Sequence, residues 1–308
     1  MLEDSDSLRI FIKNLYPSFV IMDVAKKSGQ RVVFFGRFTS KKKYEPDKCN
    51  AWGEVVLKIS EATSRTAISY IQKEAEVLNS LESICFPKLL FTEVIAKDPI
   101  TDDPISPIRF ISIEEKIDAT PLSNLMIQYN NEKKVVNFLT QILTAMKELW
   151  EHPKKLVHRD LKPDNLLIKD DYSLVIIDLG ILREEGSEGV TNSLFPIGPC
   201  TPFYASPEQA INDKKNISFK SDQFSIGTIC YEMLSGQKAF FNNDGNNLVD
   251  EILERVCSML PLRLEDYGVS KELSGIISKM MNKEPYKRYR TTDKLICDIN
   301  KLKEKQCQ

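Results

Sequence analysis

The sequence predicts an α+β protein, with a β-rich first half that carries one main helix and a larger, mainly helical second half. Three observations predict it. Up to residue 115, short runs rich in β-branched and aromatic residues alternate with turn signals. Further on, Val135, Val136, Phe138, Leu139, Ile142, Leu143, Met146, Leu149 and Trp150 recur at helical spacing as one wide apolar stripe. With 42% apolar and 28% charged residues in a chain of 308, a globular core is expected.

In order, FVIMDV (19–24), RVVFFGRF (31–38) and EVVLKI (54–59) read as strands. A helix is expected around residues 68–81, where Ile71, Leu78 and Leu81 share a face. KLLFTEVI (88–95) and IRFISIEE (108–115) complete five strands. Segments 40–52, with Lys41, Lys42 and Lys43, and 96–107, acidic and proline-bearing, read as long loops. The 135–150 stripe is core. A further helix is expected from Ser221 to Phe240, with a Ser-Asp pair at its start.

The net charge of −2 gives no reason to expect nucleic acid or an anionic membrane as partner. The acidic N-terminus has no signal-type apolar stretch behind it, and no run approaches the roughly 18 apolar residues of a spanning helix. The seven cysteines show neither CxxC pairing nor a neighbouring His cluster, which suits free thiols in a reducing cytoplasm and no structural zinc.

Chemistry concentrates in VHRDLKPDNLLI (157–168) and IIDLG (176–180). Asp160, Lys162 and Asn165, followed eighteen residues after Asp160 by Asp178 beside a glycine, form the set that magnesium-dependent phosphoryl transfer to a hydroxyl requires. A lysine, Lys58, interrupts the apolar strand VVLKI, where a buried ammonium needs a partner. Later, CTPFYASPEQ spans 200–209 and KEPYKRYR spans 283–290.

Together these stretches resemble the catalytic core of eukaryotic-type serine/threonine protein kinases, with SPEQ (206–209) similar to bacterial members. The resemblance implies a two-lobed protein kinase fold: N-lobe 1–114, hinge 115–117, C-lobe 118–303 and tail 304–308. It implies that Asp160 is the base or orienter of the attacking hydroxyl and that Lys162 places positive charge near the transferring phosphate. Asn165 and Asp178 are expected to hold magnesium, with manganese as a substitute, and Lys58 to contact the ATP α and β phosphates. Glu74 is the expected partner of Lys58, with Glu76 as the fallback. Thr201 would bridge Asp160 and Lys162, Glu208 would pair with Arg288, and Asp222 would anchor the catalytic loop. His158 reads as an internal strut.

Glu114, just before the hinge, and Lys116, within it, are expected to offer backbone groups to adenine. Ile113 is the expected gatekeeper, or Glu114 in the other register. Arg159 is expected to pair with a phosphorylated residue of a long activation segment (178–208), with Thr191 preferred over Ser187 and Ser193; Glu184, Glu185 and Glu188 are the alternative partners. Cys200 stands where such segments usually have glycine and reads as a small buried residue.

One departure is plain. Where the resemblance implies a G-x-G-x-x-G loop, DVAKKSGQRVVFFG has Gly29 alone in the turn and Gly36 inside the second strand, with Lys26, Lys27 and Arg31 as substitute positive charge. The expected function is an ATP-dependent serine/threonine protein kinase acting on protein substrates and on itself, in the cytoplasm, or in a host cytosol for a secreted effector. The alternatives are a nucleotide-binding pseudokinase scaffold and a small-molecule alcohol kinase. Lys162 and the platform 201–208 favour a protein substrate.

Overall fold

The computed structural model describes residues 5–24, 31–62, 72, 75–81, 83–179, 183–184, 200–243 and 245–306. The chain divides into two compact units, Met1–Asp118 and Ala119–Gln308.

The first unit is a five-stranded antiparallel sheet in the order β1-β2-β3-β5-β4, built from β1 (Phe19–Val24), β2 (Arg31–Phe38), β3 (Glu54–Ala62), β4 (Leu89–Lys97) and β5 (Pro104–Glu115). Strand alternation separates its faces. Phe34, Val55, Leu57, Ile59, Ile111 and Ile113 are buried in a core shared with Leu8, Phe11, Ile12 and Tyr16 of α1 (Ser5–Leu15). Each side chain of this size contributes about 1.5–3 kcal/mol when fully buried. That helix is absent from the sequence reading above. Arg109 ties it down, with its guanidinium 4.3 Å from the centre of the Phe11 ring and 3.2 Å from Glu61.

Gly36 is where β1 crosses closest. A Cβ there would lie 2.3 Å from the Val20 carbonyl oxygen and 2.6 Å from the Phe19 ring.

Both expected long loops are more ordered than a loop reading implies. In segment 40–52 the buried Glu45 carboxylate accepts from the Ser18 N–H at 2.7 Å, the Ser18 hydroxyl at 2.6 Å and the Lys42 N–H at 2.6 Å. The segment 96–107 is instead a hairpin, since Lys97 pairs with Pro104 and only a short turn separates the strands. Asp98 makes that turn by accepting from the N–H groups of Ile100 and Thr101.

In the second unit, α2 (Glu132–Trp150) buries the apolar stripe and starts on Asn131, whose side chain accepts from the Lys134 N–H at 3.0 Å. Two small sheets follow: β6 (Thr120–Pro121), β8 (Leu166–Ile168) and β9 (Leu174–Ile176) form one, β7 (Leu156–Val157) and β10 (Arg183–Glu184) the other. The remaining helices are α3 (Pro207–Ala210), α4 (Phe219–Ser235), α5 (Val249–Ser258), α6 (Lys271–Met280) and α7 (Thr292–Gln306). Helix α4 starts before the expected Ser221, because Ser218 supplies the cap, so Asp222 sits within its first turn. Helix α7 runs into the expected tail and meets α2 through Lys147 and Asp293, 2.5 Å apart.

Candidate active site

The loop after β7 is held from inside the second unit. Asp222 is fully buried and accepts three hydrogen bonds, each at 2.9 Å: from Trp150 Nε1, the His158 N–H and the Arg159 N–H. Burial pushes this carboxyl up, against the pull of His158 and the three donors. Gln209 Nε2 donates to the Arg159 carbonyl at 2.7 Å, so both polar backbone groups of Arg159 are fixed while it sits at φ 73°. His158 is fully buried, with Nδ1 accepting from the Asp160 N–H at 3.3 Å.

Asp160 emerges from this clamp half-buried. Lys162 Nζ lies 2.8 Å from its Oδ2 and donates at 3.1 Å to Thr201 Oγ1, and that hydroxyl donates to Asp160 Oδ1 at 2.7 Å. The three side chains close a ring. Asn165 Nδ2 donates to the Asp160 carbonyl at 2.9 Å, which commits the amide nitrogen and leaves the oxygen, Oδ1, as the atom of this side chain suited to a metal. The Ile177 N–H donates to the Asn165 carbonyl at 2.9 Å, which ties the chain just before Asp178 to Asn165. Asp178 itself has φ 61°. An amide oxygen and a carboxylate carried on two joined segments are hard oxygen donors of the kind magnesium takes alongside nucleotide phosphates.

Behind this ring, Arg288 reaches Glu208 with two bonds, 2.7 and 2.9 Å, and Glu208 also accepts from Ser221 Oγ at 2.6 Å. Arg288 satisfies its remaining donors on the carbonyls of Lys220, Asn282 and Lys283. Lys283 packs over Phe240 and donates to the Val256 carbonyl at 2.5 Å; burial pushes its ammonium down to about 8. The Cys200 thiol is pushed up to about 11, chiefly by burial and then by Asp160, and so stays protonated.

In the first unit, Lys58 pairs across the sheet with Ser112 and Val56 pairs with Glu114. Lys58 and Glu114 therefore share a face, and their charged groups are 2.7 Å apart. Ile113 lies on the other face, fully buried in the α1 core, and so cannot gate a pocket beside Lys58. That corrects the expected gatekeeper; the alternative register, with Glu114 facing the lysine, is the one observed. The Glu114 backbone lies within β5, between Val56 and Leu89. The N–H groups of Glu115 and Lys116 are spent on the Lys88 and Glu54 carbonyls, so the first N–H beyond them is that of Ile117. The Lys116 N–H, within the expected hinge, is therefore already engaged inside the sheet unit.

Glu74, Gly29, Ser187, Thr191 and Ser193 lie outside the described residues, while Glu76 is exposed. Sequence reasoning missed the side-chain role of Glu114 and the anchors Trp150 and Gln209. For Gln209 a signal existed, since S-x-x-Q is a helix-start pattern whose glutamine faces back along the chain.

A protein kinase domain model matches residues 50–298. The serine/threonine-protein kinase PknB of Mycobacterium tuberculosis is 28% identical over 203 residues, 64% of this chain and 31% of that protein. The serine/threonine-protein kinase nekl-2 of Caenorhabditis elegans is 34% identical over 164 residues, 53% of this chain and 42% of that protein. The serine/threonine-protein kinase sgk-1 of the same organism is 35% identical over 138 residues, 44% of this chain and 27% of that protein. The chain thus spans less than half the length of each of these curated relatives. On the match across 50–298, and with two units of a β-sheet and a helical kind, the chain belongs to the protein kinase domain family.

Proposed function

We propose that this chain transfers the γ-phosphate of ATP to serine and threonine hydroxyls of proteins, itself included. The observation that carries the reading is the closed ring of Asp160, Lys162 and Thr201. Asp160 accepts the proton of, or orients, the attacking hydroxyl, and Lys162 stabilises charge that develops on the transferring group. Thr201 holds acid and cation in one register, so neither has to reorganise as the reaction proceeds. Asn165 and Asp178 hold magnesium, with manganese as a substitute; when bound, the metal neutralises phosphate charge. Lys58 contacts the α and β phosphates, and the adenine-facing backbone begins at Ile117. The similarity to proteins named as serine/threonine kinases supports a protein substrate. The described cysteines are all unpaired, which supports a reducing, cytoplasmic setting.

The test is transfer of labelled phosphate from ATP with magnesium, to the chain itself, to a basic protein and to small alcohols, comparing wild type with Asp160→Asn. Label on protein from wild type alone is the expected result. ATP binding without transfer points to a scaffold, and label on small alcohols alone points to a small-molecule kinase.

A further inference from the structure

The sheet of the first unit is asymmetric. One face is apolar and covered by α1, whereas the other presents Lys58, Ser60, Ser112 and Glu114 on its two central strands. Within that second face the Lys58 and Glu114 side chains are only 10% and 8% exposed and meet at 2.7 Å. A buried ammonium demands a carboxylate, and here a neighbouring strand supplies it. The backbone pairings Lys58–Ser112 and Val56–Glu114 fix both Cα positions, so the tether is as rigid as the sheet.

We propose that Glu114 is a positioning residue for the phosphate-contacting lysine. The inference rests on the proposed function above. A lysine ammonium has three N–H donors; Glu114 takes one and directs the other two away from the strand, toward phosphate oxygens. A carboxylate on a helix would make the lysine's aim depend on where that helix sits. A carboxylate two residues along the adjacent strand sets the aim as soon as the sheet has folded, whatever the position of the helical residues 75–80. Because Glu114 aims the ammonium rather than itself touching ATP, removing it leaves ATP affinity nearly unchanged while the phosphates are held less accurately for transfer.

The experiment compares wild type, Glu114→Gln, Glu114→Asp, Lys58→Met and the double variant Lys58→Met/Glu114→Gln, reading kcat and KM for ATP, with thermal unfolding as the folding control. For Glu114→Gln the expected result is a fall in kcat of about tenfold or more with KM within about threefold. Glu114→Asp recovers part of kcat, and Glu114→Gln adds no further loss to Lys58→Met. The double variant removes both charges and keeps the comparison open if Glu114→Gln does not fold; Glu114→Asp then carries the split between kcat and KM. An unchanged kcat, or equal losses with and without Lys58, overturns the inference alone. Absence of transfer by wild type overturns the functional reading first, and the inference with it.

Discussion

Thr201 uses one hydroxyl twice, donating to Asp160 at 2.7 Å and accepting from Lys162 at 3.1 Å. An amide at position 160 can keep the Thr201 bond through its one oxygen, but its NH2 cannot accept from Lys162, and it takes no proton. Asp160→Asn is therefore expected to fold normally and to lose about 10²–10⁴-fold in phosphate transfer, read with labelled ATP. The Glu208–Arg288 pair has the opposite profile, because it touches no reacting group and is almost wholly buried. Arg288→Ala strands a carboxylate that, among the described residues, Ser221 still serves. A loss of about 3–5 kcal/mol is expected by urea unfolding, and a loss below about 1 kcal/mol would show that water reaches the pair. The motif spacing made both sets legible, since HRDLKPDN and the separated Glu208 and Arg288 carry residue types that have few other uses together. The Lys58–Glu114 contact was not legible in the same way, because it depends on which residues of two strands stand opposite each other.

At the level of elements, α1 shows how a signal present in the sequence can be passed over. Leu8, Phe11, Ile12 and Leu15 have helical spacing. The segment is short, however, and only contact with the sheet makes such a helix stable. Phe11→Ala removes both core packing and the surface on which Arg109 lies. A destabilisation of about 3–5 kcal/mol is expected by denaturant unfolding, larger than for removing an exposed α1 side chain such as Ile10. Gly36→Ala puts a methyl group into the Val20 carbonyl, and it is expected to lower the unfolding temperature by several degrees, measured by calorimetry. The hairpin at 98–103 looks like a long loop in sequence because its acidic, proline-bearing composition hides strand pairing that backbone hydrogen bonds provide. The face of Ile113 is hidden for a related reason: Ile111 and Ile113 do share a face, but parity alone does not say which face α1 covers.

For the whole molecule, stability should report Lys283. In the unfolded chain this group titrates at 10.5, but in the folded protein at about 8. Between those values the unfolded chain holds the extra proton, so the lysine's contribution to stability rises with pH across the window, and its full burial cost is present below it. Compared with Lys283→Met, the wild type should gain stability on the order of 1–2 kcal/mol between pH 7.5 and 9.5, after discounting for partial solvation. Urea unfolding of both proteins at each pH, each carrying Cys257→Ala because that thiol is coupled to Lys283, checks this, and ionisation of the tyrosines and the other cysteines cancels in the difference. A flat difference would place the ammonium in water. The sequence by itself determined the division into a β-rich and a helical part and singled out Asp160, Lys162, Thr201, Asn165, Glu208 and Arg288, because chemistry restricts residue type and local spacing restricts element type. The tertiary structure alone decided the strand register that gives Lys58 its partner in Glu114, the face on which Ile113 is buried and the packing that lowers the Lys283 ammonium. Each of these depends on residues distant in sequence, whose contact no local pattern encodes.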